Sequence, residues 1–357
     1  MPAPAVPAEF AAARLHVVTG KGGVGKTTVA SALALALAQT GKRVLLAEVE
    51  GRQGLSQTFD VPPLGTQEVR LVTHPGGGEL WGLSVDAKAA LLEYLQLFYK
   101  LGRAGSALEK VGAIDFATTI APGVRDVLLI GKIYEAAGRP KGGRGSGGKG
   151  GGLHYDAVVL DAPPTGRAVR FLNVNAGVAD VAKMGPIKSQ ADSITRMLRD
   201  PRTLVHMVTL LEEMPVQESL DGLRDLADVG LHLGAIIVNQ VREPLLTPEQ
   251  LTQLTGSAKT TKKDKALEDL VRDELTSAGL RPTNPMVKGL IREGRDHALR
   301  LDLQAEMARE IADAGPPVVE LPALNGGMDD GGIAVLADEL AEGLLGHDMD
   351  QTRQGGH

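Results

Sequence analysis

The stretch "VVTGKGGVGKTTVA", residues 17–30, decides the fold. From Gly20 to Gly25 it spells G-x-G-x-x-G, the glycine spacing of a dinucleotide loop. From Gly20 to Thr27 it spells G-x-x-x-x-G-K-T, a loop that cradles the phosphates of ATP or GTP. A dinucleotide site also wants an acid about twenty positions on, and Glu48 or Glu50 would serve. The glycines alone leave both readings open, and Lys26 and Thr27 separate them. A pyrophosphate loop has no use for a Lys-Thr pair at a helix start. A triphosphate does: Lys26 neutralises β/γ charge and the Thr27 hydroxyl binds Mg²⁺, while backbone N–H groups of Gly20, Gly22, Gly23, Val24, Gly25 and the helix start through Thr28 surround the phosphates. A nicotinamide enzyme is thereby reduced to a formal alternative.

Working outward, Leu15–Thr19 reads as a buried strand and about Lys26–Gln39 as an Ala/Leu-rich helix closed by Gly41. Val44–Val49 reads as a second strand. Strand, glycine loop, helix and strand begin a doubly wound, mostly parallel sheet. Tyr155–Asp161, "YDAVVLD", reads as the third strand, with Leu204–Leu211, Ala235–Asn239 and Pro317–Leu321 as later ones. Apolar residues at three-and-four spacing make about 87–137 helical, and a second helical stretch covers about 168–198. Leu220–Asp228, much of 246–315 and Ile333–Leu345 also read as helix. The fold class expected is α/β, a P-loop NTPase with an inserted helical subdomain. One domain is expected over 14–346, between a disordered leader at 1–13 and a disordered tail at 347–357. Residues 138–152, "GRPKGGRGSGGKGGG", hold nine glycines in an irregular pattern that specifies no geometry, so they read as a flexible loop.

Composition removes whole classes of function. The chain of 357 residues contains no cysteine, which excludes disulfides, thiolate catalysis and Cys-ligated zinc. The eight histidines show no ligand spacing, so any metal is expected to be a hard ion held by oxygens. A net charge of −6 without an evident basic patch speaks against nucleic acid. No apolar run reaches the length of a membrane span, and the first residues lack the layout of a signal peptide; a cytoplasmic protein is expected.

Asp161 ends the apolar strand "YDAVVLD", where an acid would support the Mg²⁺ shell, and "APPTG" follows as a loop able to sense the γ-phosphate. With these residues in view, "GKGGVGKTT" resembles the deviant Walker A motif of the ATPases that include the arsenite pump, the guided-entry factor for tail-anchored proteins, the septum-placing Min ATPase and the nitrogenase iron protein. The resemblance implies that Lys21, otherwise an ordinary surface lysine, reaches a partner's nucleotide across a dimer. "DAPPTGRAVRFL" (161–172), "APGVRDVLL" (121–129), "VTLLEEMPVQESL" (208–220), "IIVNQV" (236–241) and "ELPAL" (320–324) are similar to segments of the arsenite and guided-entry branch. Together they span roughly residues 14–325. By that resemblance Asn239 and Pro322 contact adenine.

The departures carry information too. The branch places an Asp in switch I to position the attacking water; here the aligned stretch is "EGRQGLSQTF", with Glu50 in that place, one methylene longer. Arg52 and Arg167 stand at uncharged or His positions of the two switches. Without cysteine, neither the zinc clamp of guided-entry ATPases nor thiol capture of As(III) is available. The stretch "EVEGRQGLSQTFDVPPL" is similar to actinobacterial anion-transporting-ATPase-like paralogues, which implies a homodimer or a heterodimer with a sister subunit. A client groove would draw on Leu91, Leu92, Leu95, Leu97, Phe98 and Tyr99, with Met184, Ile194, Met197 and Leu198 opposite, although a stripe at helical spacing is also what a core requires. The resemblance implies an ATP-driven switch for a protein client. The alternatives are the ATPase subunit of a membrane anion pump and a weakly catalytic nucleotide-binding subunit of a heterodimer.

Overall fold

A computed structural model describes residues 10, 12–49, 53–91, 93, 122–141, 152–178, 186–255, 261–324 and 331–346. Glu50, Arg52, Leu92, Leu95, Leu97, Phe98, Tyr99 and Met184 lie outside them, as do residues 1–9 and 11 of the leader, the tail and residues 142–151, whereas Phe10 and Ala13 of the expected leader are buried in a core.

The eight strands are β1 (Leu15–Gly20), β2 (Arg43–Val49), β3 (Val69–Thr73), β4 (Glu79–Val85), β5 (Ala157–Asp161), β6 (Thr203–Thr209), β7 (Leu233–Val241) and β8 (Val318–Pro322). They form one sheet in the order β3-β4-β2-β5-β1-β6-β7-β8. All neighbours are parallel except β3 and β4. Tyr155–Asp161 therefore contains the fifth strand, not the third. The two strands missing from the sequence reading form a hairpin at the sheet edge, turned by "HPGGG" at 74–78, where Gly77 N–H donates to the His74 carbonyl (2.9 Å). The largely exposed pattern of "VRLVT" in β3, with only Leu71 and Val72 partly buried, suits an edge strand.

The parallel strands are apolar on both faces because helices cover both. Leu15, Val17, Leu45, Ala47, Val158 and Leu160 feed one core, while Val18, Val44, Leu46, Ala157 and Val159 feed the other. Helix α1 (Lys26–Gln39) lies in the second core and is buried along its whole length from Val29 to Ala38. Its alanines let it approach closely, and the late helix Gly332–Leu345 packs on it through Leu336, Leu340 and Leu344. The short α2 (Gly54–Thr58) adds Leu55 to the second core, and the other face carries α3 (Pro122–Gly138), α4 (Thr165–Leu172), α5 (Val174–Val178), α6 (Pro186–Leu198) and α7 (Glu213–Asp228). Between β7 and β8 come α8 (Pro248–Thr255), α9 (Thr261–Ser277) and the long α10 (Asn284–Ala312); Gly332–Leu345 is α11.

The chain leaves β1 towards β2, then returns to insert β5 between them, and only afterwards crosses β1 to build β6. The direction of winding thus reverses around β1, and ligands of doubly wound sheets bind outside the strand ends at such a point. The fold is that of an α/β P-loop NTPase. The ends of the glycine-rich segment are pinned together: Lys141 N–H donates to the Gly152 carbonyl and His154 N–H to that of Arg139, each at 2.8 Å. Of the residues considered for a client groove, Ile194 and Leu198 are fully buried and Leu91 and Met197 pack against the same core. Those four serve packing.

Candidate functional site

The loop Gly20–Gly25 lies at the carboxyl end of β1, and Gly25 is the N-cap of α1. No side chain caps this helix and no acid stands in its first turn, so its positive end is left for an external anion. The first intrahelical bond runs from Val29 N–H to the Gly25 carbonyl (3.0 Å), which leaves the earlier amides without helical acceptors. Gly25 has φ +90°, and a Cβ there would collide with the Asn239 amide. No other residue meets both conditions.

Lys26 is buried, and its Nζ donates to the Lys21 carbonyl at 2.8 Å, so the ammonium lies over the loop. The Thr27 hydroxyl donates to Asp161 Oδ2 at 2.6 Å. Asp161 ends β5 and is in register with Val18 on one side and Glu48 on the other. Inserting β5 between β1 and β2 is what brings this acid to the helix start. Thr27 and Asp161 offer only oxygen, the donor type a hard divalent ion such as Mg²⁺ takes. Among the described residues no group of three or more His, Asp or Glu could hold a metal, so an ion here would complete its shell with phosphate and water.

Lys21 lies on the rim, with its Nζ 2.8 Å from Glu218 Oε1 of α7, and both side chains are partly exposed. Asn239 ends the apolar run of β7 and is buried. Its Nδ2 donates to the Val24 carbonyl (2.9 Å) and its Oδ1 accepts from Gln240 N–H (3.0 Å). Asn239 and Pro322 line one cavity of about 1320 Å³ together with Gly25 and Thr28. That cavity continues between Leu254, Val271, Leu290 and Ile291 of α8–α10. In the second switch the Thr19 hydroxyl donates to the Pro163 carbonyl (2.8 Å), and Arg167 pairs with Asp126 of α3 (3.1 Å). Burial pushes the Asp126 carboxyl up to about 6, against the pull of Arg125 and Arg170.

Three residues here escaped the sequence reading in these roles. Glu218 and Asp126 are acids on amphipathic helices, indistinguishable in sequence from solvated ones. Glu48 did carry a signal, an acid inside the apolar strand "VLLAEV", and it is 2% exposed in the structure.

The family model of the anion-transporting ATPases matches residues 13–183, which include the phosphate loop and Asp161. The ATPase BagA of Mycobacterium tuberculosis is 44% identical over 336 residues, 94% of this chain and 95% of its own. The ATPase GET3 of Eremothecium gossypii is 27% identical over 257 residues, covering 63% of this chain and 70% of its own. The putative arsenical pump-driving ATPase 2 of Aquifex aeolicus is 26% identical over 257 residues, 64% and 80% of the respective chains. A chain that carries this phosphate loop and strand-end acid, and that matches BagA along nearly its whole length, belongs to the arsenite-pump and guided-entry family of ATPases.

Proposed function

We propose that the protein is a dimeric switch in which Mg-ATP binding and hydrolysis open and close two subunits around a protein client or partner. The observation that carries this reading is the division of labour between two lysines of one loop. Lys26 is buried over the loop, while Lys21 sits on the rim within reach of solvent and is held by Glu218 alone among the described acids. A buried lysine serves its own nucleotide; a rim lysine can serve a neighbour's.

In this reading the amides of Gly22–Thr28 and Lys26 bind the β- and γ-phosphates, and Thr27 and Asp161 hold Mg²⁺. When bound, the ion neutralises charge that builds on the transferred phosphoryl group. Glu50 orients the attacking water, and Lys21 stabilises the transition state in the partner's site. Asn239 and Pro322 flank the adenine. Phosphoryl transfer needs little covalent chemistry from the protein, so positioning and charge carry it.

The relatives' names include a pump-driving ATPase and a GET3 ATPase, while BagA is named an ATPase alone. The absence of cysteine separates this chain from thiol capture of arsenite and from a zinc-clamped dimer. No helix among the described residues is long and apolar enough to cross a membrane, so a role as a pump subunit would need a membrane partner. A second reading, a weakly catalytic subunit of a heterodimer, is favoured by Glu50 standing where the family has Asp.

The test is steady-state hydrolysis of Mg-ATP by the purified chain beside Lys26→Ala and Lys21→Ala. Turnover abolished by both supports a self-sufficient homodimer. Retained turnover in Lys21→Ala contradicts action in trans. Tight ATP binding without turnover, restored by Glu50→Asp, supports the weakly catalytic reading instead.

A further inference from the structure

Glu48 is a carboxylate buried one residue before the end of β2, beside Asp161 in register and with Ser84 on its other side. Burying a carboxylate is unfavourable unless its oxygens are satisfied. Here both are, and by one short segment: Oε1 accepts from Gln53 N–H (3.1 Å) and Oε2 from Leu55 N–H (3.2 Å). These are charge-assisted bonds, the strong kind. Among the described residues no lysine or arginine pairs with Glu48, so the backbone of 53–55 is its partner.

That segment is not relaxed on its own account. Gln53 has φ +57°, a left-handed conformation that a side chain adopts only where its surroundings hold it. The next residue, Gly54, lies against the phosphate loop: a Cβ there would be 2.9 Å from Thr27 Cγ2 and 3.6 Å from Glu48 Oε2. One buried acid thus ties the turn after β2 to the threonine that faces Asp161.

We propose that Glu48 is a positioning residue for ATP hydrolysis. It clamps the turn 53–55 against Thr27, whose hydroxyl donates to Asp161. The inference rests on the reading of Thr27 and Asp161 as the pair that holds Mg²⁺. An error of about an ångström in placing such a group costs on the order of a hundredfold in rate, which is why an anchor here would matter.

The variant Glu48→Gln keeps the volume but presents an NH₂ to one of the two N–H donors. Its kcat is expected to fall roughly a hundredfold while the Kd of Mg-ATP stays within about threefold, the pattern of an interaction realised only in the transition state. Glu48→Asp keeps both acceptors on a shorter stem and recovers part of the loss. In the nucleotide-free chain, hydrogen exchange at the amides of Gln53 and Leu55 is expected to quicken at least about tenfold in Glu48→Gln, with those of Val44–Ala47 unchanged. If Glu48→Gln does not fold, Glu48→Asp answers the same question with smaller changes of the same sign: a lower kcat, an unchanged Kd and quicker exchange at 53 and 55. Wild-type kcat in the folded variant, a proportional loss of kcat and affinity, or unaltered exchange at 53 and 55 would overturn the proposal. Should the unsubstituted chain not turn over, the catalytic reading fails, and the exchange result still decides whether Glu48 is the clamp.

Discussion

The two ends of the nucleotide cleft are built differently. At the phosphate end the groups are close, at least half-buried and bound to each other: Lys26 to the Lys21 carbonyl, Thr27 to Asp161, Asn239 to the Val24 carbonyl. At the other end, where we propose that the base binds, a cavity of about 1320 Å³ that also reaches Gly25 and Thr28 opens between Pro322 and Leu254, Val271 and Leu290 of α8–α10. The first end is a device for recognising charge. The second is a roomy apolar wall, above the roughly 300–1,000 Å³ usual for small-molecule sites. Affinity and turnover should therefore hang on the phosphate end, and discrimination between bases on a few groups at the junction.

The contrast breaks first, and most severely, if Lys26→Ala spares activity. We expect that substitution to lower kcat/KM for Mg-ATP by roughly 10²–10³-fold, measured by phosphate release, with folding unimpaired by circular dichroism. The junction comes next. Asn239→Ala strips the Val24 carbonyl of its donor and should raise KM for ATP about tenfold, from one lost hydrogen bond. The preference for ATP over GTP should narrow with it. An unchanged KM would detach Asn239 from the nucleotide.

A third test lies beneath the phosphate end. His16 and His206 stack on adjacent strands, buried and 3.1 Å apart, and Ala235 N–H donates to His206 Nδ1 (3.2 Å). His206 must then carry its proton on Nε2 and donate it to His16 Nδ1. Burial, and secondarily the charge of Lys42, pushes His16 down to about 3; burial and the neighbouring His16 push His206 well down. Folded, the pair stays neutral where the unfolded chain takes up protons below about 6.5, so stability falls as pH drops through that value. From pH 7 to pH 5 each histidine contributes a loss of about 2 kcal/mol. Asp126 works against this, because its raised carboxyl takes up a proton in the folded state first and gains stability as pH falls below about 6. Urea midpoints at the two pH values should therefore drop more steeply in Asp126→Asn than in the wild type, and equal slopes would remove Asp126 from the balance.

The smallest effect is expected at the base end itself. Leu290→Ala alters a wall that is already 41% exposed at that side chain, and KM for ATP should change by less than about threefold, since a partly exposed methylene group contributes little. A larger change would mean that the apolar wall grips the ligand.

Legibility in the sequence follows the same division. The phosphate loop, its strand and its helix are consecutive residues, so spacing alone exposes them. Asp161 is far away in sequence but advertises itself as an acid at the end of an apolar run. Asn239 and Pro322 were reachable only through resemblance, because an Asn or Pro at a strand end is ordinary. The β3–β4 hairpin is hard to read even though Gly76–Gly78 mark its turn, since β3 is short, largely exposed and interrupted by Arg70, without the continuous apolar run that announces a buried strand. Glu48 enters the sequence reading only as one of two acids that would suit a dinucleotide loop; what it holds is a backbone turn, and no pattern of residue types records which amides point at a carboxylate. Glu218 and Asp126 needed the packing of helices to be known before their partners could be named.

The strand order has a consequence in time. β1 and β2 are separated by β5, and the partner of Thr27 stands 134 residues further along the chain. At about 5–20 residues per second of synthesis, the loop is made on the order of ten seconds before its acid exists. A nascent chain that holds only the glycine loop, its helix and β2 has a gap in the sheet where β5 belongs. Such non-local parallel pairing is slow to form and closes late. ATP thus meets a finished Thr27–Asp161 pair only after the middle of the sheet has shut, which makes the nucleotide a reporter of completed folding rather than a seed for it.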